Sequence, residues 1–116
     1  MSSVLVVGYD PQAVPGIDDQ ALRAALEKDL ARFAEHGIHA AMTTVVLDGS
    51  AQSALVASLT SRRWDVVVVG GGIRKTEQLL PLFEQIVNLV RCHAPDAAIA
   101  FNSGVGDSLE AAQRLL

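Results

Sequence analysis

Residues 64–72 read WDVVVVGGG, and this stretch decides the fold. Four consecutive valines present no polar face, so the run fits a strand covered on both sides, as in the middle of a parallel sheet. The glycines that follow end it. Working outward, a short β-branched run followed by a longer helical pattern recurs along the chain. SVLVVG (3–8) leads through YDPQAVPGI (9–17) to a helix with the apolar stripe Leu22, Leu26, Leu30 and Phe33. Asp18 is placed to cap that helix, Ile17 to staple against Leu22, and Gly37 to stop it. HAAMTTVVL (39–47) leads through Asp48-Gly49-Ser50, a turn that also caps, to a second helix near 51–62. Arg62 and Arg63 fall in its last turn, where positive charge complements the helix dipole.

Pro81 limits the third helix, because proline is tolerated in a first turn and breaks an interior. A regular helix is therefore predicted from about 78 to just before Pro95, with 70–77 as a loop or one loose turn. AAIAFN (97–102) reads as the fourth strand. Asp107, with Glu110 three residues on, is placed to cap a short last helix. Such alternation implies a parallel sheet with right-handed crossovers and helices on both faces. The expectation is one α/β domain over 1–116: three layers, α-β-α, around four parallel strands in the order 2-1-3-4. The Val-rich first and third runs take the centre and the Thr-containing second run an edge. The fourth strand is left as an open edge that a partner subunit would cover, giving a homodimer.

Composition narrows the function classes. A chain of 116 residues is one domain with room for a real core. Half of it is hydrophobic, yet no apolar run approaches the roughly 18 residues that cross a bilayer. It enters a strand-like run at Val4 without a basic n-region, which predicts a cytoplasmic location and no membrane partner. A net charge of −4 and 4% aromatics argue against nucleic acid, which needs clustered cations and stacking platforms. Cys92 is the single cysteine, and His36, His39 and His93 lack ligand spacing. Neither a metal nor a cofactor is therefore expected.

Open parallel sheets bind ligands outside the carboxyl ends of their strands, where the strand order reverses. Here that point lies between the first and third strands. The loops bounding it are Gly8-Tyr9-Asp10 and Gly70-Gly71-Gly72-Ile73-Arg74-Lys75-Thr76, with Asn102 and Ser103 on the same rim. Three glycines leave amides unshielded and permit positive φ, and Arg74 and Lys75 add charge; together they suit a nest for a phosphate or carboxylate. The plainer alternative is that the glycines only turn the chain and both cations are solvated. Asp10 is a weak catalytic or metal-binding candidate, since Asp before Pro11 also makes a turn. Tyr9 stacks on a ligand or caps the core edge. A P-loop needs glycine where Val69 and Arg74 stand, and GYDPQAVPG lacks the dinucleotide spacing.

On the third helix Leu79, Leu82, Phe83, Ile86 and Val90 form the face toward the sheet. Leu80, Val87 and Leu89 widen it beyond what a surface helix needs. Either a neighbouring helix covers the excess, or it is a dimer or partner surface. Cys92 and His93 are adjacent and so do not face each other.

At fold level the whole chain resembles small flavodoxin-like, or Rossmann-like, domains with the fifth strand missing. DVVVVGGGI followed by AIAFNSGVGDSLEAAQRLL is similar to the last third of a cobalamin-binding domain, and the layout is similar to response-regulator receivers. The functional motifs of those families have no counterpart. The cobalamin loop DxHxxG is here GYDPQAV, and the receiver's acidic pair and acceptor aspartate are here Asp10 alone and Gly71. GGGIRKTEQLLPLFEQIVNLVRCHAPDAAIAFN (70–102) resembles an uncharacterised bacterial family, which implies no activity. The leading expectation is thus a domain binding a small phosphate- or carboxylate-bearing ligand at the glycine-rich loop. The alternatives are a regulatory interaction module using the third helix and open edge strand, and an enzyme using Asp10.

Overall fold

The computed structural model describes residues 2–13, 16, 18–46, 48 and 50–116. The strands are β1 (Ser3–Tyr9), β2 (His39–Val45), β3 (Val66–Val69) and β4 (Ala98–Phe101). The helices are α1 (Asp19–Glu35), α2 (Ala51–Thr60), the one-turn α3 (Gly71–Arg74), α4 (Leu80–His93) and α5 (Ser108–Gln113), with 3-10 turns at Pro11–Ala13 and Glu77–Leu79. The sheet is wholly parallel in the order β2-β1-β3-β4, as the alternation and the valine run predict.

The two-residue period of the central strands builds both cores at once. Leu5, Val7, Val67 and Val69 face one layer, where α2 and α4 supply Leu55, Leu59, Leu82, Ile86 and Val90. Val4, Val6, Val66 and Val68 face the other, against Phe33 of α1 and Leu109, Ala111 and Ala112 of α5. All four β3 valines are fully buried, each worth roughly 1.5–3 kcal/mol of transfer free energy. That makes the shortest strands sufficient.

The helix boundaries follow local chemistry. The Asp18 carboxylate accepts from the amides of Gln20 and Ala21 at 3.0 and 3.3 Å, and Gly37 ends α1 at φ +70°. The staple assigned to Ile17 lies outside the described residues. Asp48 accepts from the Ser50 amide at 2.7 Å; Gly49 of that turn is likewise outside them. Pro81 occupies the first turn of α4.

Two expectations are corrected. α2 stops at Thr60, so Arg62 and Arg63 lie beyond its last turn. The chain leaves the helix there because Trp64 must bury beside β3, its Nε1–H donating to the Ser58 carbonyl at 3.0 Å; the Arg62 guanidinium then rests 5.6 Å over the indole. Asp107 stands at the N-cap of α5 but makes no side-chain bond to it, and Glu110 pairs with Arg32 instead of closing a capping box. Of the two alternatives for the widened α4 stripe, cover by a neighbouring helix accounts for part of it. Phe83 and Leu89 pack on the same core and α2 lies alongside α4, while Leu80 remains 60% exposed.

α1 also buries Asp29 among its apolar positions, with one carboxylate oxygen lacking a hydrogen-bond partner among the described residues. No described helix is long and apolar enough to cross a membrane.

The topology opens a gap. From β1 the chain passes to α1 in one layer; from β3 it passes to α4 in the opposite layer. The two connections diverge at adjacent strand ends, which leaves a crevice between them.

Candidate functional site

The crevice is a cavity of about 580 Å³, within the range of small-molecule sites. Its floor is the backbone of Gly8, Gly70, Gly71 and Gly72 at the carboxyl ends of β1 and β3. Leu22 and Leu26 from the first two turns of α1 form one wall, and Gln78 and Leu79 before α4 form the other. Ala13, Tyr9, Lys75 and Thr76 line it further, and Ser103, Gly104 and Val105 close the β4 side. The walls are mostly apolar, with few polar groups to orient a ligand.

The glycine run serves close approach. None of Gly70, Gly71 and Gly72 has positive φ. A Cβ on Gly70 would sit 3.1 Å from the Val7 carbonyl oxygen, and one on Gly71 would sit 3.3 Å from that of Ser103. Gly8 and Gly72 have nothing within 4 Å of that position. Two glycines thus allow the backbones to meet, and two leave the cavity floor bare.

The amides of the run are largely engaged. Gly70 N–H donates to the Val7 carbonyl at 2.8 Å, those of Ile73 and Arg74 to Gly70, and that of Lys75 to Gly71. Gly71 N–H donates to Asn102 Oδ1 at 2.8 Å. This arrangement closes a turn; it is not the open amide nest the glycines suggest in sequence.

The two cations separate. Arg74 leaves the cavity for the β4 side, where its guanidinium donates to the Asn102 carbonyl and lies 5.8 Å over the Phe101 ring. Lys75 does line the cavity, with its ammonium donating to the Ser103 carbonyl. The one-turn geometry of α3 decides this, placing successive side chains about 100° apart around the helix.

Asn102 is 5% exposed and ties β4 to its surroundings. Its Oδ1 holds Gly71, and its amide donates to Ser108 Oγ at 2.9 Å. Ser103 belongs to a second tie: its amide and hydroxyl, with the Gly104 amide, donate to the Asp107 carboxylate at 2.7–3.1 Å. Burial opposes ionisation of Asp107, but these bonds outweigh it and hold the carboxyl below the ordinary carboxylate range. Asp10 accepts from the Gln12 amide at 3.0 Å, the turn-making role, and is not among the cavity-lining residues. The Thr76 hydroxyl donates to the Gly72 carbonyl at 2.8 Å. Among the described residues, the Tyr9 hydroxyl and Gln78 carboxamide have no hydrogen-bond partner, and no three His, Cys, Asp or Glu side chains cluster.

Of the residues singled out in the sequence, Gly8, Tyr9, Gly70, Gly71, Gly72, Lys75, Thr76 and Ser103 meet at the cavity; Asp10, Arg74 and Asn102 do not line it. The apolar walls were missed. Leu22 and Leu26 read as sheet-covering residues, yet α1 begins at the rim, so its first two turns overhang the strand ends. Comparison with family models, with curated proteins and with solved structures gives no match to this chain.

Proposed function

We propose that this domain binds a small molecule with an apolar body and one carboxylate or phosphate group, in the crevice between the ends of β1 and β3. One observation carries the reading: an apolar-walled cavity of about 580 Å³ at the reversal of strand order, floored by glycines without side chains. The ligand body would lie on Gly8 and Gly72 between Leu26 and Leu79. Lys75 would hold the anion, since its ammonium has three donors and one is taken by Ser103. Tyr9 and Gln78 would orient polar groups. Arg74 has no part in this site, and among the described residues no carboxylate lines the cavity, so binding rather than catalysis is the function proposed.

The test is a thermal-shift screen of carboxylated and phosphorylated metabolites with aliphatic or aromatic bodies. A subset should raise the melting temperature, and the class that does so distinguishes carboxylate from phosphate. Lys75→Ala should weaken binding by roughly tenfold, the worth of one charge-assisted hydrogen bond. Arg74→Ala should leave ligand shifts intact. No stabilising ligand, or shifts indifferent to Lys75→Ala, would overturn the reading.

A further inference from the structure

The sheet has two open edges, and they are built differently. On β4 the Ala98 amide donates to the Asp65 carbonyl at 3.0 Å, so Ala98 and Ala100 face β3 while Ile99 and Phe101 turn their backbone groups outward. That edge is short and guarded. Arg114 donates to the Phe101 carbonyl at 2.9 Å, and Arg74 covers the Phe101 ring. Arginines on an edge are a common defence against pairing with another strand.

Among the described residues the β2 edge has no such guard. The His39 amide donates to the Ser2 carbonyl, and the Val45 carbonyl accepts from the Asp10 amide, both at 2.9 Å. The odd-numbered residues therefore face β1, and Ala40, Met42 and Thr44 present their N–H and C=O groups outward. No described residue bonds to those groups. The strand is seven residues long, free of proline and of formal charge. α2, which packs beside it through the contact between Thr43 Oγ1 and Ser58 Oγ, contains no charged residue either. From Gly37 to Ser61 the only formal charge is Asp48, in a chain with 22 Asp, Glu, Lys and Arg (9 basic, 13 acidic).

We propose that β2 is the interface strand of a homodimer, pairing antiparallel with β2 of a second copy about a twofold axis at Met42. In that register Met42 meets its own counterpart and Ala40 meets Thr44. The outward-facing residues become three hydrogen-bonded pairs, each exchanging two bonds. A second copy is the fitting occupant because the face is self-complementary. Juxtaposing the strand and the α2 layer with themselves sets no like charges opposite one another there, and the dyad relates small residues, Ala41 to Thr43, in the α2 layer. A strand pair alone falls short of the roughly 1,200 Å² a stable interface buries. The exposed Ser53, Ala54 and Ala57 of α2 extend the contact without desolvating a charge.

The test is light scattering combined with amide hydrogen exchange on the full chain. The expected mass is twice 12.2 kDa, with the Ala40, Met42 and Thr44 amides protected in a concentration-dependent way. Thr44→Pro removes only an outward N–H, costs the sheet no internal bond, and should give a folded monomer. Ile99→Pro does the same on the β4 edge and should leave the dimer intact. Should Thr44→Pro fail to fold, the wild-type exchange pattern decides. A monomer at every concentration, or a dimer whose protection falls on Ile99 and Phe101, overturns the proposal.

Discussion

The carboxyl end of β3 has two sides, and they are finished in opposite ways. Toward β4 almost every polar group is engaged: Asn102 bridges Gly71 and Ser108, Asp107 gathers Ser103 and Gly104, and Arg74 lies over Phe101. Toward β1 the backbone is bare, the walls are leucine, and the Tyr9 hydroxyl and Gln78 carboxamide have no described partner. The same glycine run serves both sides. Rigidity on one side fixes the rim, and vacancy on the other leaves room for a ligand, which is the division of labour expected of a preorganised site.

That contrast can be broken most severely at Asn102. Asn102→Ala strands the buried Gly71 amide and the Ser108 hydroxyl, and should cost roughly 2–4 kcal/mol in denaturant unfolding. Gly70→Ala comes next. Its Cβ would press on the Val7 carbonyl, and relieving that contact should cost about 1–3 kcal/mol.

Acid probes the same side more gently. Because Asp107 has a depressed pKa in the folded chain, its contribution is present above the ordinary carboxylate value, about 3.9, and is lost as pH falls through the depressed one. Melting temperatures followed from near-neutral pH down to about pH 3 should fall less steeply for Asp107→Asn than for the wild type. The smallest effect belongs to the vacant side. Gly72→Ala meets open space and should change stability by no more than about 0.5 kcal/mol, while still intruding on ligand binding.

The fold was legible because its signals are local and redundant. Val66–Val69 fits a doubly covered strand and forms one, Asp18 and Gly37 bracket α1, and Pro81 marks where α4 begins. The crevice was legible as a place and less so as a set of side chains. Topology brought 8–9 and 70–76 together, but whether Arg74 or Lys75 turns inward depends on the phase of a single helical turn, which no periodicity in seven residues reveals. Nor could the sequence say that Gly70 and Gly71 are crowded by neighbouring carbonyls and have no positive φ. Asn102 looked like loop chemistry because its partners lie 31 residues back, at Gly71, and six ahead, at Ser108. Leu22 and Leu26 carry the same pattern as core residues; only the overhang of α1 beyond the strand ends makes them walls.

The central claim is that the β1–β3 crevice is where this protein meets its ligand. The most direct measurement is an amide-resolved NMR titration of the labelled chain with the best stabilising compound from the screen. The account predicts shifts concentrated at Gly8, Gly72, Lys75 and Gly104, with the Trp64 indole signal at the opposite rim unmoved. Shifts centred on Trp64 or on the β4 edge, with Gly8 and Gly72 unaffected, would contradict it.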